Sequence, residues 1–90
     1  MAIEFEIEEQ FSKDLAKLSN FILESKIKKI LLSLDSFENL SELSNLKKLK
    51  GFKTYFKIRI GNYRLGLSFT KKKLIFVRIL HRKHFYNKFP

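Results

Sequence analysis

Apolar and acidic residues alternate from the start of the chain, Ile3, Phe5 and Ile7 interleaving with Glu4, Glu6 and Glu8. This is the period-two pattern of a strand with one buried and one wet face. From about Glu9 the period lengthens: Phe11, Leu15 and Leu18 recur at helical spacing, with Lys13, Asp14 and Lys17 on the other side, which predicts a short amphipathic helix ending near Ser19-Asn20. A second helix is expected over roughly residues 22–38, where Leu23, Ile27, Ile30, Leu31 and Leu34 make an apolar stripe and Lys26, Lys28, Lys29 and Ser33 lie mostly outside it. Helices joined this closely predict an antiparallel hairpin. Residues 39–45 keep neither period and read as a loop.

Beyond Leu46-Lys47-Lys48-Leu49-Lys50-Gly51 the alternation returns. Phe56, Ile58 and Ile60 fall on one face of a strand over 54–60, with Tyr55, Lys57 and Arg59 on the other. Gly61-Asn62 is a dipeptide that closes a two-residue hairpin, and residues 63–70 make the next strand. Lys71-Lys72 turns the chain into a last strand from Leu74 to about Leu80, followed by a short basic aromatic tail. The expected fold class is α+β in the order β-α-α-β-β-β, a helical hairpin packed on one face of a mainly antiparallel four-stranded sheet. No repeat or low-complexity segment interrupts it, and residues 1–90 read as a single domain.

Composition sharpens this picture in two ways. Ten Phe and 44% hydrophobic residues suffice for a small core without metal or disulfide, and the absence of Cys, of a long apolar run and of a leader-like start makes a cytosolic protein the default expectation. Charge is more informative. All nine acidic residues lie at or before Glu42, whereas the 48 residues after it carry fourteen Lys/Arg and no Asp or Glu, within a net charge of +10. Such a half is suited to a polyanion. A membrane surface would call for these lysines on an amphipathic helix, but most fall in predicted strands, so nucleic acid is the expected partner class. Two His, no Cys and acids confined to the other half argue against a metal site, and no cofactor is expected.

Three segments carry a family resemblance: Leu46-Lys47-Lys48-Leu49-Lys50-Gly51, then Tyr55-Phe56-Lys57-Ile58-Arg59-Ile60-Gly61-Asn62-Tyr63-Arg64-Leu65, then Phe76-Val77-Arg78-Ile79-Leu80-His81-Arg82-Lys83 with Tyr86 following. Together they resemble the RelE family of toxins of type II toxin–antitoxin systems. The resemblance spans the whole domain in element order and is most specific in the second half. It implies a ribosome-dependent endoribonuclease that cuts mRNA in the decoding site without metal, the ribose 2′-hydroxyl attacking the adjacent phosphate and a 5′-hydroxyl leaving. The ParE branch shares the fold but poisons DNA gyrase, which is the competing implication. A third possibility is an inert member that only binds nucleic acid or serves as a co-repressor.

In-line attack needs a proton acceptor, cations for the developing negative charge and a donor for the leaving oxygen. Lys57 matches the first basic position of the family's strand and is the candidate base, since neighbouring cations such as Arg59 and Arg64 favour the uncharged form of a lysine; equally, it could only bind phosphate. Arg59 and Arg64 read as phosphate clamps. Arg59 stands where some ribonuclease members carry a second lysine. Arg82 matches the family residue that stabilises the transition state, with Lys83 as the alternative alignment. His81 is an acid or base, or else a structural hydrogen-bonder at a strand end. Tyr86 matches the aromatic that stacks on a base or orients the 2′-hydroxyl, or else packs the tail with Phe85 and Phe89. Lys47, Lys48, Lys50 and Lys53, with Lys83, form the expected electrostatic footprint for ribosomal RNA. Tyr63 reads as core, Gly51, Gly61 and Gly66 as structural, and Glu42 is a distant alternative base.

The family also implies partners beyond ribosome and mRNA. A cognate antitoxin with an acidic, disordered segment would fold across the basic surface, and the resulting hetero-oligomer could bind operator DNA. No membrane partner is expected.

Overall fold

The computed structural model describes residues 3–90. In chain order the elements are β1 (Glu4–Ile7), α1 (Glu9–Leu18), α2 (Phe21–Ser33), β2 (Leu46–Lys48), β3 (Tyr55–Ile60), β4 (Tyr63–Thr70), β5 (Lys73–His81) and α3 (Arg82–Lys88), with 3-10 turns at Leu34–Ser36 and Leu40–Glu42. The strands form one sheet in the order β1-β5-β4-β3-β2. Only β1, which runs parallel to β5, departs from antiparallel pairing.

The α+β class holds, and four expectations about its elements need correcting. The sheet has five strands, not four, because Leu46, Lys47 and Lys48 pair with Ile58, Lys57 and Phe56 as an edge strand. Three residues with two lysines carry no periodic signal, and charge is what an exposed edge tolerates. The tail is a helix, α3. Helix α2 stops at Ser33, before the expected end, because Ser33 Oγ donates to the Ile30 carbonyl and Ser36 Oγ to that of Ser33, tightening the chain into a 3-10 turn. Finally, β1 has no buried face: as the outermost strand it leaves Phe5 and Ile7 exposed, and the buried residue of this segment is Ile3.

Two clusters cover the two faces of the sheet. On one, Phe11 of α1 and Leu23 and Ile27 of α2 pack with Ile58, Leu65, Leu67, Leu74, Phe76 and Ile79. On the other, Phe85 and Phe89 pack with Leu49 and Leu80, with Tyr55 and Val77 beside them. Gly66 makes the second cluster possible, since a Cβ there would stand 2.8 Å from the Phe89 ring. Without a side chain the strand lets the ring lie directly on its backbone.

The strand β5 is bulged. Gly66 pairs with Arg78 and Leu67 with Phe76, leaving Val77 as the additional residue. Beyond Phe76, where β1 ends, the outer edge of β5 meets α1. Asp14 fills this gap: it accepts from Arg78 Nε at 2.7 Å and Nη2 at 3.0 Å, from the Ile79 N–H at 3.2 Å and from Gln10 at 3.0 Å. The expectation that Asp14 lies on the solvent side of its helix is therefore overturned, for the residue is only 8% exposed. Burial opposes its charge, but the hydrogen bonds of Arg78, Gln10 and Ile79 and the guanidinium charge outweigh that and hold its carboxyl below the ordinary value.

Candidate nucleic-acid interface

Strand alternation and register set the basic residues in rows. Lys47 of β2 lies opposite Lys57 of β3, and Arg59 of β3 opposite Arg64 of β4. Directly opposed like charges destabilise a sheet. Among the described residues none of these four cations pairs with a carboxylate; the ion pairs are Lys13 with Glu9 and Arg78 with Asp14.

Lys57 and Tyr86, 29 positions apart, come into direct contact, the ammonium donating to the phenol oxygen. Helix α3 makes this possible. His81 caps it, Nδ1 accepting the Lys83 N–H at 3.2 Å, and the Arg82 N–H donates to the Asn62 carbonyl at 2.8 Å, tying the helix start to the β3–β4 turn. Phe85 and Phe89 are buried beneath the helix, while Tyr86 between them is 61% exposed. The two phenylalanines pack the tail onto the sheet, and Tyr86 touches Phe85 edge-on while its ring stays largely exposed.

The other sequence-derived candidates are distributed around this centre. Arg64 folds back on the hairpin turn, its guanidinium donating to the Gly61 and Tyr63 carbonyls at 3.0 Å each. Arg59 is exposed and lines a separate groove of about 490 Å³ with Lys26 and Lys29 of α2, so it stands apart from the Lys57–Tyr86 contact. Arg82 and Lys83 occupy the exposed first turn of α3. Lys48, Lys50 and Lys53 are exposed on and after β2. His81 sits edge-on to Tyr63, ring centres 5.5 Å apart. Desolvation, then the charges of Lys83, Arg82, His84 and Arg64, lower its pKa. Because Nδ1 accepts a backbone N–H, the neutral form of the ring carries its proton on Nε2. Tyr63 packs against the main core as expected. Glu42 is engaged elsewhere: it accepts the N–H groups of Glu38 at 2.6 Å and Asn39 at 3.1 Å, and these bonds lower its pKa.

One neighbour of this centre was missed by sequence reasoning. Phe52, in the loop after β2, lines a cleft together with Lys57 and Tyr86. An aromatic between two lysines in Lys50-Gly51-Phe52-Lys53 was the available signal.

With this geometry in view, three comparisons converge. The profile of the ParE toxin of type II toxin–antitoxin systems (parDE) matches residues 5–86. Toxin RelE3 of Methanocaldococcus jannaschii is 40% identical over 81 residues, covering 89% of this chain and 91% of that protein. Among solved structures, the RelB–RelE antitoxin–toxin complex from Methanococcus jannaschii aligns with a TM-score of 0.80 at 36% identity, covering 93% of this chain and 98% of that one. YafQ from Escherichia coli, at 23% identity and a TM-score of 0.66 over 89% of this chain and 93% of its own, shares the fold. The chain belongs to the RelE/ParE family, the toxins of type II toxin–antitoxin systems.

Proposed function

We propose that this toxin is a ribosome-dependent endoribonuclease that inhibits translation by cleaving mRNA. The observation that carries the reading is the pairing of cation with cation, Lys47 with Lys57 and Arg59 with Arg64, which no carboxylate among the described residues matches. A phosphate backbone relieves that repulsion. In the proposed reaction the ribose 2′-hydroxyl attacks the adjacent phosphorus and gives its proton to the Lys57 amine, a 2′,3′-cyclic phosphate forms, and the bond to the 5′-oxygen breaks as that oxygen takes a proton from water. The Tyr86 hydroxyl, in contact with Lys57, orients the attacking oxygen. Arg64 and Arg82 stabilise the charge that develops on the non-bridging oxygens. His81 positions Arg82 by capping α3 and offers an Nε2 proton to an oxygen. Lys47, Lys48, Lys50, Lys53, Lys83 and Arg59 supply the wider footprint on ribosomal RNA.

The partner that restrains this activity is an antitoxin whose acidic segment folds over the basic face, as charge complementarity favours. RelB accompanies RelE in the Methanococcus jannaschii complex, the structural relative at 36% identity. Operator binding by the hetero-oligomer, and action in the cytoplasm, accompany this reading.

The test is a translation reaction with purified toxin, ribosomes and a defined mRNA, followed by mapping of RNA ends. Ribosome-dependent cuts bearing 2′,3′-cyclic or 3′-phosphate ends, lost in Arg82→Ala, are the expected result. The ParE name of the matching profile favours a second reading, inhibition of DNA gyrase. Intact mRNA together with blocked supercoiling would select it, and inertness in both assays would leave a binding or co-repressor role.

A further inference from the structure

The last rung of the β4–β5 ladder pairs Tyr63 with His81. Cross-strand partners share a face of the sheet, and these two rings meet edge to face, with centres 5.5 Å apart and planes at 78°. Tyr63 is half-buried, and its hydroxyl is reached by the Asn20 side-chain amide at 3.4 Å. Asn20 in turn caps α2, its side-chain oxygen accepting the Leu23 N–H at 3.0 Å. One tyrosine thus connects the start of α2 to the start of α3.

His81 depends on such a neighbour. Its cap is made by Nδ1, which accepts the Lys83 N–H at 3.2 Å; a half-turn of the ring about Cβ–Cγ would put a carbon in that place. The backbone selects weakly between the two orientations, because this torsion is broad and roughly two-fold. The Tyr63 ring, set edge-on against the imidazole, restricts the half-turn. Helix α3 has seven residues, too few to be stable alone, so its contacts decide where it lies. Phe85 and Phe89 anchor it to the sheet. Its start is held by two adjacent residues of the hairpin end: the Asn62 carbonyl accepts the Arg82 N–H at 2.8 Å, and the Tyr63 ring backs the His81 cap. The first bond needs no particular side chain at 62. The second contact needs an aromatic at 63. We propose that Tyr63 is a positioning residue for RNA cleavage, its ring acting through His81 to fix the start of α3 and thereby to place Arg82 and Tyr86. The effect on rate rests on the RNA-cleaving reading above; the effect on His81 does not.

Two variants divide the roles of the side chain. Tyr63→Phe drops the contact with Asn20 and keeps the ring, whereas Tyr63→Leu removes the ring. Each would be read by the imidazole nitrogen-15 shifts of His81 and by kcat and KM of ribosome-dependent cleavage. The chain has two histidines, and His84→Gln assigns their signals. Wild type and Tyr63→Phe should show one His81 tautomer, protonated on Nε2. In Tyr63→Leu the shifts should move toward a mixture of tautomers, the Lys83 amide should exchange roughly tenfold faster, and kcat should fall roughly tenfold at unchanged KM. Asparagine caps a helix without needing an aromatic neighbour, so adding Tyr63→Leu to His81→Asn should cost no further cleavage. Either an unchanged His81 spectrum or an unchanged kcat in Tyr63→Leu overturns the proposal. Should that variant not fold, Tyr63→Met carries the same test. If wild type cleaves nothing, the RNA-cleaving reading fails by itself, and the His81 spectrum with the Lys83 exchange rate still decides whether Tyr63 fixes α3.

Discussion

The edge of the sheet and its open face treat charge in opposite ways. At the outer edge of β5, Asp14 receives four hydrogen bonds, from Arg78, Gln10 and Ile79. On the face that carries α3, Lys57 neighbours Lys47 and Arg59 neighbours Arg64, and among the described residues no carboxylate matches them. A matched buried pair serves the fold, because losing either member strands the other in a dry site. Unmatched surface cations cost the fold a little and become favourable only when an anion arrives. The contrast separates residues that hold the protein together from residues that meet its ligand.

The harshest way to break the contrast is at its matched side. Asp14→Ala leaves the Arg78 guanidinium and the Ile79 N–H without their acceptor and should lower unfolding free energy by about 3 kcal/mol, read from urea denaturation. Acid probes the same group. Its folded pKa lies below its unfolded one, so the stability it contributes is complete above the ordinary value of 3.8 and disappears as pH falls through the folded value. Asp14→Asn should flatten that part of the acid-unfolding curve. On the unmatched side, Lys57→Ala should cost RNA cleavage on the order of a hundredfold while changing stability by no more than about 0.5 kcal/mol; a large loss of stability would erase the distinction between edge and face.

Gly66→Ala tests what separates the site from the sheet beneath it. The added methyl collides with the Phe89 ring at 2.8 Å, and overpacking of this kind costs about 2 kcal/mol. Near-ultraviolet circular dichroism should show the aromatic cluster loosening. The smallest expected change has the opposite sign. Lys71 and Lys72 turn the β4–β5 hairpin with φ of 51° and 62°, so Lys72→Gly should stabilise by about 1 kcal/mol, visible as a raised Tm, by relieving a left-handed conformation in a side-chain-bearing residue.

Much of this is legible in the sequence. The β3–β4 hairpin was readable because Phe56, Ile58 and Ile60 alternate with charged residues up to Gly61-Asn62, and the same alternation placed Lys57 and Arg59 on one face. Strand β2 was not, because three residues on a charged edge have no period and are ordered by their partner β3. Helix α3 was hidden for a related reason: His81 caps it and two phenylalanines dock it, and neither contact can be inferred from a seven-residue segment. The bulge at Val77 turns Arg78 toward a carboxylate 64 positions away. Local spacing carries no trace of so distant a pairing. Phe52 escaped notice because an aromatic in a loop announces neither strand nor core.

The position of β5 between β1 and β4 has a consequence for how the protein is made. Strand β1 emerges from the ribosome first, yet its partner is the last strand to be synthesised. Until residues 73–81 are available, β1 has no strand to pair with and Asp14 has no Arg78. Arg82 and Tyr86 follow later still. The nascent chain therefore lacks an assembled core and the Lys57–Tyr86 contact until β5 and α3 have been made. A truncated product lacking β5 would be an unfolded chain and not a weakened toxin.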